Sequence, residues 1–554
     1  WAFGCSGLPP QPQTGPLRLL GIERDTMTSL EETQTNAAER RGFLAVLLVS
    51  CALAGCALAY GFVFYPLALG VLAGCALLWG AGHLVLGASG ALAVFTMLMA
   101  FLLLKRFDEG LAIPLSNIVG VQMTFWMSGV LVLALVAAVF LGRRLSGPMP
   151  PAMRAYGRRF WRVWLAFVTF AVAGLALNYL LERDLHSRFL PAELVGLASI
   201  CLPMLFGVLL AIAPISRFRT VLCLRALVGL GGMAGLIMAA FGLLPDAITG
   251  ALGWAEVTGG TLDLVCGRLP LGHPNAVASV MLLVLPVAVV QGMAGPNILW
   301  RLFYLGCAAL MFCGVLFALS RAALLNMVLV LGLTLAYIFF SAKERRLIGL
   351  VFVTVLGLAF AGIAGYLFST YDFSRFWSRR YHEDASVERR LDSMTTALMV
   401  LRDHPVLGAG PDAVYPRLEL RPGWEPPMQD PISPIIHYEG QPSAETPHNM
   451  YLHVFAEFGV LGGTMFFLLV LVVVWRLWRV RGNPKLCQAD REAVTALLLG
   501  VVAFFMMGMF EALLMAGIRA TLVFWVYAGL AAHYALLVER DAEQGAAVPA
   551  WRRL

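Results

Sequence analysis

The sequence predicts an all-α polytopic membrane protein, and three observations carry that expectation. Of the 554 residues 60% are hydrophobic and 13% charged, and the mean hydropathy is +0.79, outside the range of a soluble globular domain. The apolar residues fall in runs that approach the roughly 20 a helix needs to cross the hydrocarbon. These runs lack the period-two alternation of a membrane β-strand, so helices are the way their backbone polar groups can be satisfied in lipid. The net charge of +7 does not point to nucleic acid, because the basic residues sort with the ends of the apolar runs, and no nucleic-acid partner is expected.

Taken in order, spans are expected at 42–62, 63–82, 88–104, 119–142, 161–181, 193–214, 220–244, 275–292, 299–319, 321–340, 346–368, 449–475, 493–514 and 519–538. Weak breaks separate the first three, so the expected count is about 12–14 transmembrane helices. Internal glycines and prolines do not argue against a span. Residues 1–41 read as an N-terminal tail. Within it, 1–26 carry no basic start followed by an apolar run and read as an extension ahead of Met27, not a signal peptide. The remaining parts are a transmembrane bundle at 42–368, a long loop or lid at 369–447, further spans at 448–538 and a C-terminal tail at 539–554.

Orientation follows from the basic residues near the helix ends. With both termini in the cytoplasm, the inside segments hold Arg143, Arg144, Arg154, Arg158, Arg159 and Arg162, then Arg217 and Arg219, then Lys343, Arg345 and Arg346, then Arg476, Arg479, Arg481, Lys485 and Arg491. The short outside segments are much poorer, with Arg183, Arg188, Arg268, Arg321 and Arg519 among their few cations. This count puts Arg268, Arg321, the 369–447 loop and His448 on one outer side. The cysteines show neither a disulfide framework nor a zinc spacing, most of them lying inside apolar runs.

The outer loop is proline-rich, and a connection this long in a compact bundle is usually functional or disordered. From Ser386 to Leu401, apolar residues at Leu391, Met394, Leu398 and Leu401 recur at helical spacing, with Pro405 beyond the end, so a short amphipathic helix is expected to pack by that stripe on the bundle mouth. The polar stretch from Pro416 to Pro447 suits a lid or an acceptor-docking surface.

The residues with chemical potential cluster on this outer side. Thr446-Pro447 is a good helix start. His448 and Asn449 would then lie in the first turn, where free N–H groups and the helix dipole attract an anion and favour a neutral, proton-accepting histidine. Arg321 follows Ser320 where two spans nearly abut, a costly place for charge unless it is paired or wet. Arg389, Arg390 and Arg402 lie on the loop helix, and Arg268 and His273 precede the span at 275, which Asn275 is placed to cap. Glu511 and Arg519 are expected to pair, and His453 and Glu457, four apart, could hydrogen-bond on one helix face. The outer segments contain no Asp-x-Asp motif, so no metal is expected.

His448-Asn449, nine residues, Gly459, two residues and Gly462 resembles the signature of bacterial O-antigen ligases. Ser320-Arg321 at a helix break is similar to the same ligase and polymerase superfamily. So is the run Arg389-Arg390, amphipathic helix, His404-Pro405, Gly408-x-Gly410, in which Arg390 is the better match. The resemblance spans roughly residues 265–465. It implies a GT-C-like membrane fold in the bacterial inner membrane with the site on the periplasmic face, and an inverting, metal-independent glycosyl transfer of lipopolysaccharide biosynthesis without a cofactor. The implied donor is undecaprenyl diphosphate-linked O-antigen and the implied acceptor a sugar hydroxyl of lipid A core, with membrane lipids as the surroundings. His448 would be the general base and Arg321 and Arg390 the ligands of the donor diphosphate. Asn449, Arg389, Arg402, Arg268 and His273 would support them. An O-antigen polymerase would carry Arg-x10-Gly repeats, and neither Arg268 nor Arg390 has a glycine eleven positions on. A protein O-oligosaccharyltransferase and, in a different class, a lipid-linked oligosaccharide transporter are the other readings. A transporter would place charges deep in its helices, where Arg225 and Glu511 are the main suspects.

Overall fold

The computed structural model describes residues 149–181, 183–213, 215–243, 274–295, 297–318, 320–341, 385–411, 447–514 and 518–544, the pairs 113–114 and 124–125, and scattered positions between 350 and 365. The spans expected at 42–62, 63–82 and 88–104, most of 346–368, the 412–446 part of the lid, Arg268 and His273 lie outside them. The described residues form an all-α polytopic membrane protein. The exception is a two-residue antiparallel ladder of β1 (Ile113–Pro114) with β2 (Thr124–Phe125), of which β2 falls in the span expected at 119–142, the rest of that span lying outside the described residues. A β-branched and an aromatic residue favour extended backbone there.

Ten helices follow: α1 (Pro151–Leu181), α2 (Arg183–Ala211), α3 (Arg217–Leu243), α4 (Pro274–Ala294), α5 (Ile298–Phe317), α6 (Arg321–Ser341), α7 (Ala385–Asp403), α8 (Met450–Arg481), α9 (Gln488–Met507) and α10 (Ile518–Glu543). Seven of them, α1, α3, α4, α5, α6, α8 and α10, are long and apolar enough to cross a membrane. α9 misses that standard because it opens on Asp490, Arg491 and Glu492.

α4 and α10 are apolar all round and buried nearly all round, so they form the centre of the bundle. α9 packs on α4, α2 on α10 and α3 on α5. The last contact is backbone to backbone: a Cβ added at Gly314 would lie 2.5 Å from Gly235 Cα. Small residues permit this closeness, which matters in lipid, where packing and not water expulsion holds helices together. Asn326 in α6 donates to the Ala503 carbonyl at 2.8 Å, tying the first turns of α6 to the last turns of α9.

The two ends of the bundle differ in chemistry. At one, Arg217 bridges Asp490 (2.5 Å) and Asp541 (2.8 Å), Tyr534 donates to Asp490, and Arg476 pairs with Glu539. Just inside it, Arg225 is buried with its guanidinium 3.7 Å from the Trp300 ring centre and its Nε 3.1 Å from Tyr304 Oη. The aromatic face and the hydroxyl both help to accommodate this buried cation. The opposite end gathers the starts of α4, α6 and α8 and the end of α9, and holds the candidate site.

Candidate active site at the mouth of helix α8

The site is built on the start of α8, which begins three residues later than Thr446-Pro447 implies. Asn449 is the cap: its backbone is extended and its side-chain oxygen accepts from Leu452 N–H at 3.0 Å. Asparagine is the stronger N-cap, and its amide also donates to the Met509 carbonyl, locking the cap to the end of α9. His448 therefore precedes the helix and does not lie in its first turn. The expected anion cradle is corrected with it, because Met450 N–H donates to Gly508 O, Leu452 N–H to the cap and His453 N–H to Asn449 O. These donors are spent within the protein.

What faces His448 is a carboxylate. Its Nδ1 lies 3.3 Å from Glu511 Oε1, with the two side chains 21% and 8% exposed. Glu511 Oε2 accepts from the Asn275 amide at 2.7 Å. Asn275 thus sits inside the first turn of α4 and holds a carboxylate; it does not cap the helix. Three segments converge on the imidazole: the connection after α9 orients it, α4 orients the carboxylate, and the Asn449 cap fixes the backbone. Glu511 was expected to pair with Arg519, whose side chain lies outside the described residues. The signal for a site was nonetheless in the sequence, since an ionisable residue between two membrane runs marks function by default. Its partners, far off in the chain, carried no such signal.

Below the histidine α8 is broken at Gly459 (φ 64°), and the Pro405–Gly410 segment fills the break. Ala409 and Gly410 N–H donate to the carbonyls of Ala456 and Glu457, both at 2.9 Å, and Val460 N–H donates to Pro405 O at 2.8 Å. These bonds replace those that helix α8 forfeits at the break, as buried backbone in a membrane protein requires. Gly408 and Gly459 meet face to face: a Cβ on Gly408 would lie 2.2 Å from Glu457 O, and one on Gly459 2.2 Å from Val406 O. The Asn178 amide of α1 donates to Gly408 O and pins the strap from the other side. The His453–Glu457 hydrogen bond forms at 2.8 Å on the buried face of the same half-helix.

The arginines are placed as follows. Arg321 is the first residue of α6, exposed, with Ser320 Oγ accepting from Ala323 N–H as its cap. The Asn326–Ala503 bond a turn and a half further on brings this helix start to the His448 end. Arg390 is half-buried and Arg402 exposed on α7, which docks on the first turns of α8 through Ala397 and Val400 against Leu452 and Ala456. The stripe expected to dock, Leu391, Met394, Leu398 and Leu401, is not the docking face. Ser393, Ala397 and Val400 are buried instead, and Leu391 and Leu398 point outward. The side chain of Arg389 lies outside the described residues. Among the described residues no three His, Cys, Asp or Glu side chains gather in a way that could hold a metal ion.

No curated protein matches the chain. Residues 306–467 match the O-antigen ligase family, a stretch that takes in Arg321, Arg390, the Gly408 strap, His448, Asn449 and the Gly459 break, and leaves Asn275 and Glu511 on either side. Through that stretch the chain is similar to the O-antigen ligase and polymerase superfamily.

Proposed function

We propose that the chain is an O-antigen ligase: a glycosyltransferase that moves a glycan from undecaprenyl diphosphate to a sugar hydroxyl of lipid A core at the periplasmic face of the inner membrane. The observation that carries this reading is the His448–Glu511 pair at the mouth of the family-matched region. With its Nδ1–H donated to Glu511, the imidazole presents Nε2 as an acceptor, and the carboxylate stabilises the imidazolium that forms on proton transfer. The acceptor hydroxyl gives its proton to Nε2 as its oxygen bonds to the anomeric carbon. The bond from that carbon to the diphosphate oxygen breaks, and the electron pair leaves with the diphosphate. Arg321 and Arg390 neutralise that charge, guanidinium being permanently cationic and shaped to fork onto phosphate oxygens. Inversion at the anomeric carbon is the expected stereochemistry of this single displacement.

Purified protein incubated with lipid-linked donor and lipid A core tests the reading by the product it makes. A glycan joined to lipid A core supports it. Lengthened glycan still on the donor lipid would make the chain a polymerase, glycan on protein an oligosaccharyltransferase, and donor moved across a bilayer without any new bond a transporter. His448→Ala should stop transfer and leave donor binding intact, and near-normal transfer would remove the proposed base. Arg321→Ala and Arg390→Ala should each lower turnover or donor affinity by more than about tenfold, the order expected for a charge-assisted phosphate contact. Chelator should leave the rate unchanged, and a loss restored by Mn²⁺ would replace this mechanism with a metal-dependent one.

A further inference from the structure

Helix α7 divides its circumference in a way that docking on α8 does not explain. At about 100° per residue, Ser393, Ala397 and Val400 form one narrow face, buried against α8. Next to it Leu401, Met394, Leu398 and Leu391 form a wider apolar stripe, in which Leu391 is 58% and Leu398 50% exposed. Arg390 lies at one edge of that stripe and Arg402 at the other. The stripe leads toward the strap, where Val406, 54% exposed, adjoins the break in α8 through the Pro405–Val460 hydrogen bond. From there α8 continues with Val460, Leu461, Leu468 and Leu471, all exposed, on a helix apolar enough to cross the membrane. The outward apolar surface of a membrane span is its lipid-facing surface, and the strap joins the exposed stripe of α7 to the helix that carries it.

We propose that α7 is an interfacial helix whose Leu391–Leu401 stripe rests in the bilayer leaflet at the His448 end, with Arg390 and Arg402 at the level of the lipid phosphates. Large apolar residues bordered by arginines are what a helix lying in the headgroup boundary presents, the guanidinium groups reaching up to phosphate while the side-chain stems stay in the apolar layer. The small-residue face lets α7 approach α8 closely at the same time. The helix is thereby held between protein on one flank and lipid on the next, and with it the strap that fills the break in α8. The partner is the phospholipid bilayer itself, and the inference stands on the membrane fold, independent of whether the site transfers a glycan.

The test is photocross-linking of the full-length protein in nanodiscs of phosphatidylethanolamine and phosphatidylglycerol, free of any polyprenyl diphosphate. The photoreactive residue p-benzoyl-phenylalanine replaces Leu391, Leu398 or Met399, all exposed, so that no packed core is disturbed; Met399 is apolar but off the stripe. Phospholipid adducts found by mass spectrometry at 391 and 398, about fivefold or more above those at 399, are the expected result for a helix with one face in lipid. Equal yields at the three positions, or cross-links from 391 and 398 to another segment of the chain, would overturn the proposal. So would adducts that form only when a polyprenyl diphosphate lipid is added, since the stripe would then be a donor site and not a bilayer contact.

Discussion

Glu511 sits where a carboxylate is expensive, 6% exposed near the end of the α9 span, and it meets this cost with a hydrogen bond from Asn275 and the imidazole of His448. If its task is to orient His448 and stabilise the imidazolium, Glu511→Gln should lower kcat about 10²-fold with the donor KM changed less than about threefold, the pattern of an interaction made in the transition state. A raised KM at unchanged kcat would make Glu511 a substrate ligand instead. Asn275→Ala removes a donor from a buried carboxylate, so a loss of about 1–3 kcal/mol is expected, read as a lower Tm in detergent. At this scale the sequence was legible in types and not in pairs. His448, Arg321 and Arg390 stand out by their neighbours in the chain, and Glu511 by being an acid in an apolar setting. Nothing local says that Glu511 meets a histidine 63 positions back and an asparagine 236 positions back, so its nearest cation in sequence, Arg519, was the natural guess.

The broken helix α8 shows why the two glycines of the His-Asn-x9-Gly-x2-Gly pattern are not equivalent. Gly459 has a positive φ and its missing Cβ would strike the Val406 carbonyl, whereas a Cβ at Gly462 would meet only Phe458 Cβ at 2.8 Å and the Phe170 ring at 3.1 Å. Gly459→Ala should therefore cost more than about 3 kcal/mol, since left-handed backbone and a clash with main chain act together. Gly462→Ala should cost clearly less, because Phe170 can shift. Gly408→Ala should match Gly459→Ala, as each glycine faces the other strand of the same contact. Thermal melts of the three variants decide it, and equal costs at 459 and 462 would mean that the strap gives way easily. The loop helix is legible in the sequence and Gly459 and Gly408 stand out in its motifs, but the run at 449–475 gives no sign of the break, and the loop helix packs by the opposite choice of residues. Sequence reading followed the largest apolar residues to the docking surface, while the close approach of α7 to Ala456 demands the small ones, Ser393, Ala397 and Val400. Hydrophobic periodicity finds an apolar stripe and cannot say whether protein or lipid covers it.

Among the described residues the ion pairs gather at the two ends of the bundle, and the described spans follow from run length. α3, α4, α5 and α6 appear within a turn of their expected bounds, α8 and α10 run about a turn and a half further at their C-terminal ends, α1 and α2 start well before theirs, and α9 is shifted toward its charged start, where Asp490 is buried by Arg217 and Tyr534, partners that only the assembled bundle supplies. Arg217 is the hub of that far end, joining the start of α3 to Asp490 on α9 and Asp541 on α10. Arg217→Met removes the shared cation from two carboxylates at once. Asp490 keeps Tyr534 and Cys487 as hydrogen-bond donors and Asp541 keeps Arg540 at 3.4 Å, so the expected loss lies at the low end of the 3–5 kcal/mol typical of a broken buried pair, about 3 kcal/mol. Adding Asp490→Leu to that variant should return part of the loss, because an apolar pair needs no desolvation and the two sites are directly coupled. Transfer activity per folded molecule should stay within about twofold of the parent in both variants, since the hub lies at the opposite end of the bundle from His448 and independent sites act additively. Melting curves and turnover measured on the same preparations separate the two quantities. A variant that melts like the parent but fails to turn over would show that the ionic end is coupled to the site through the buried helices α4 and α10, and that the bundle works as a two-ended device instead of a scaffold with its chemistry at one mouth.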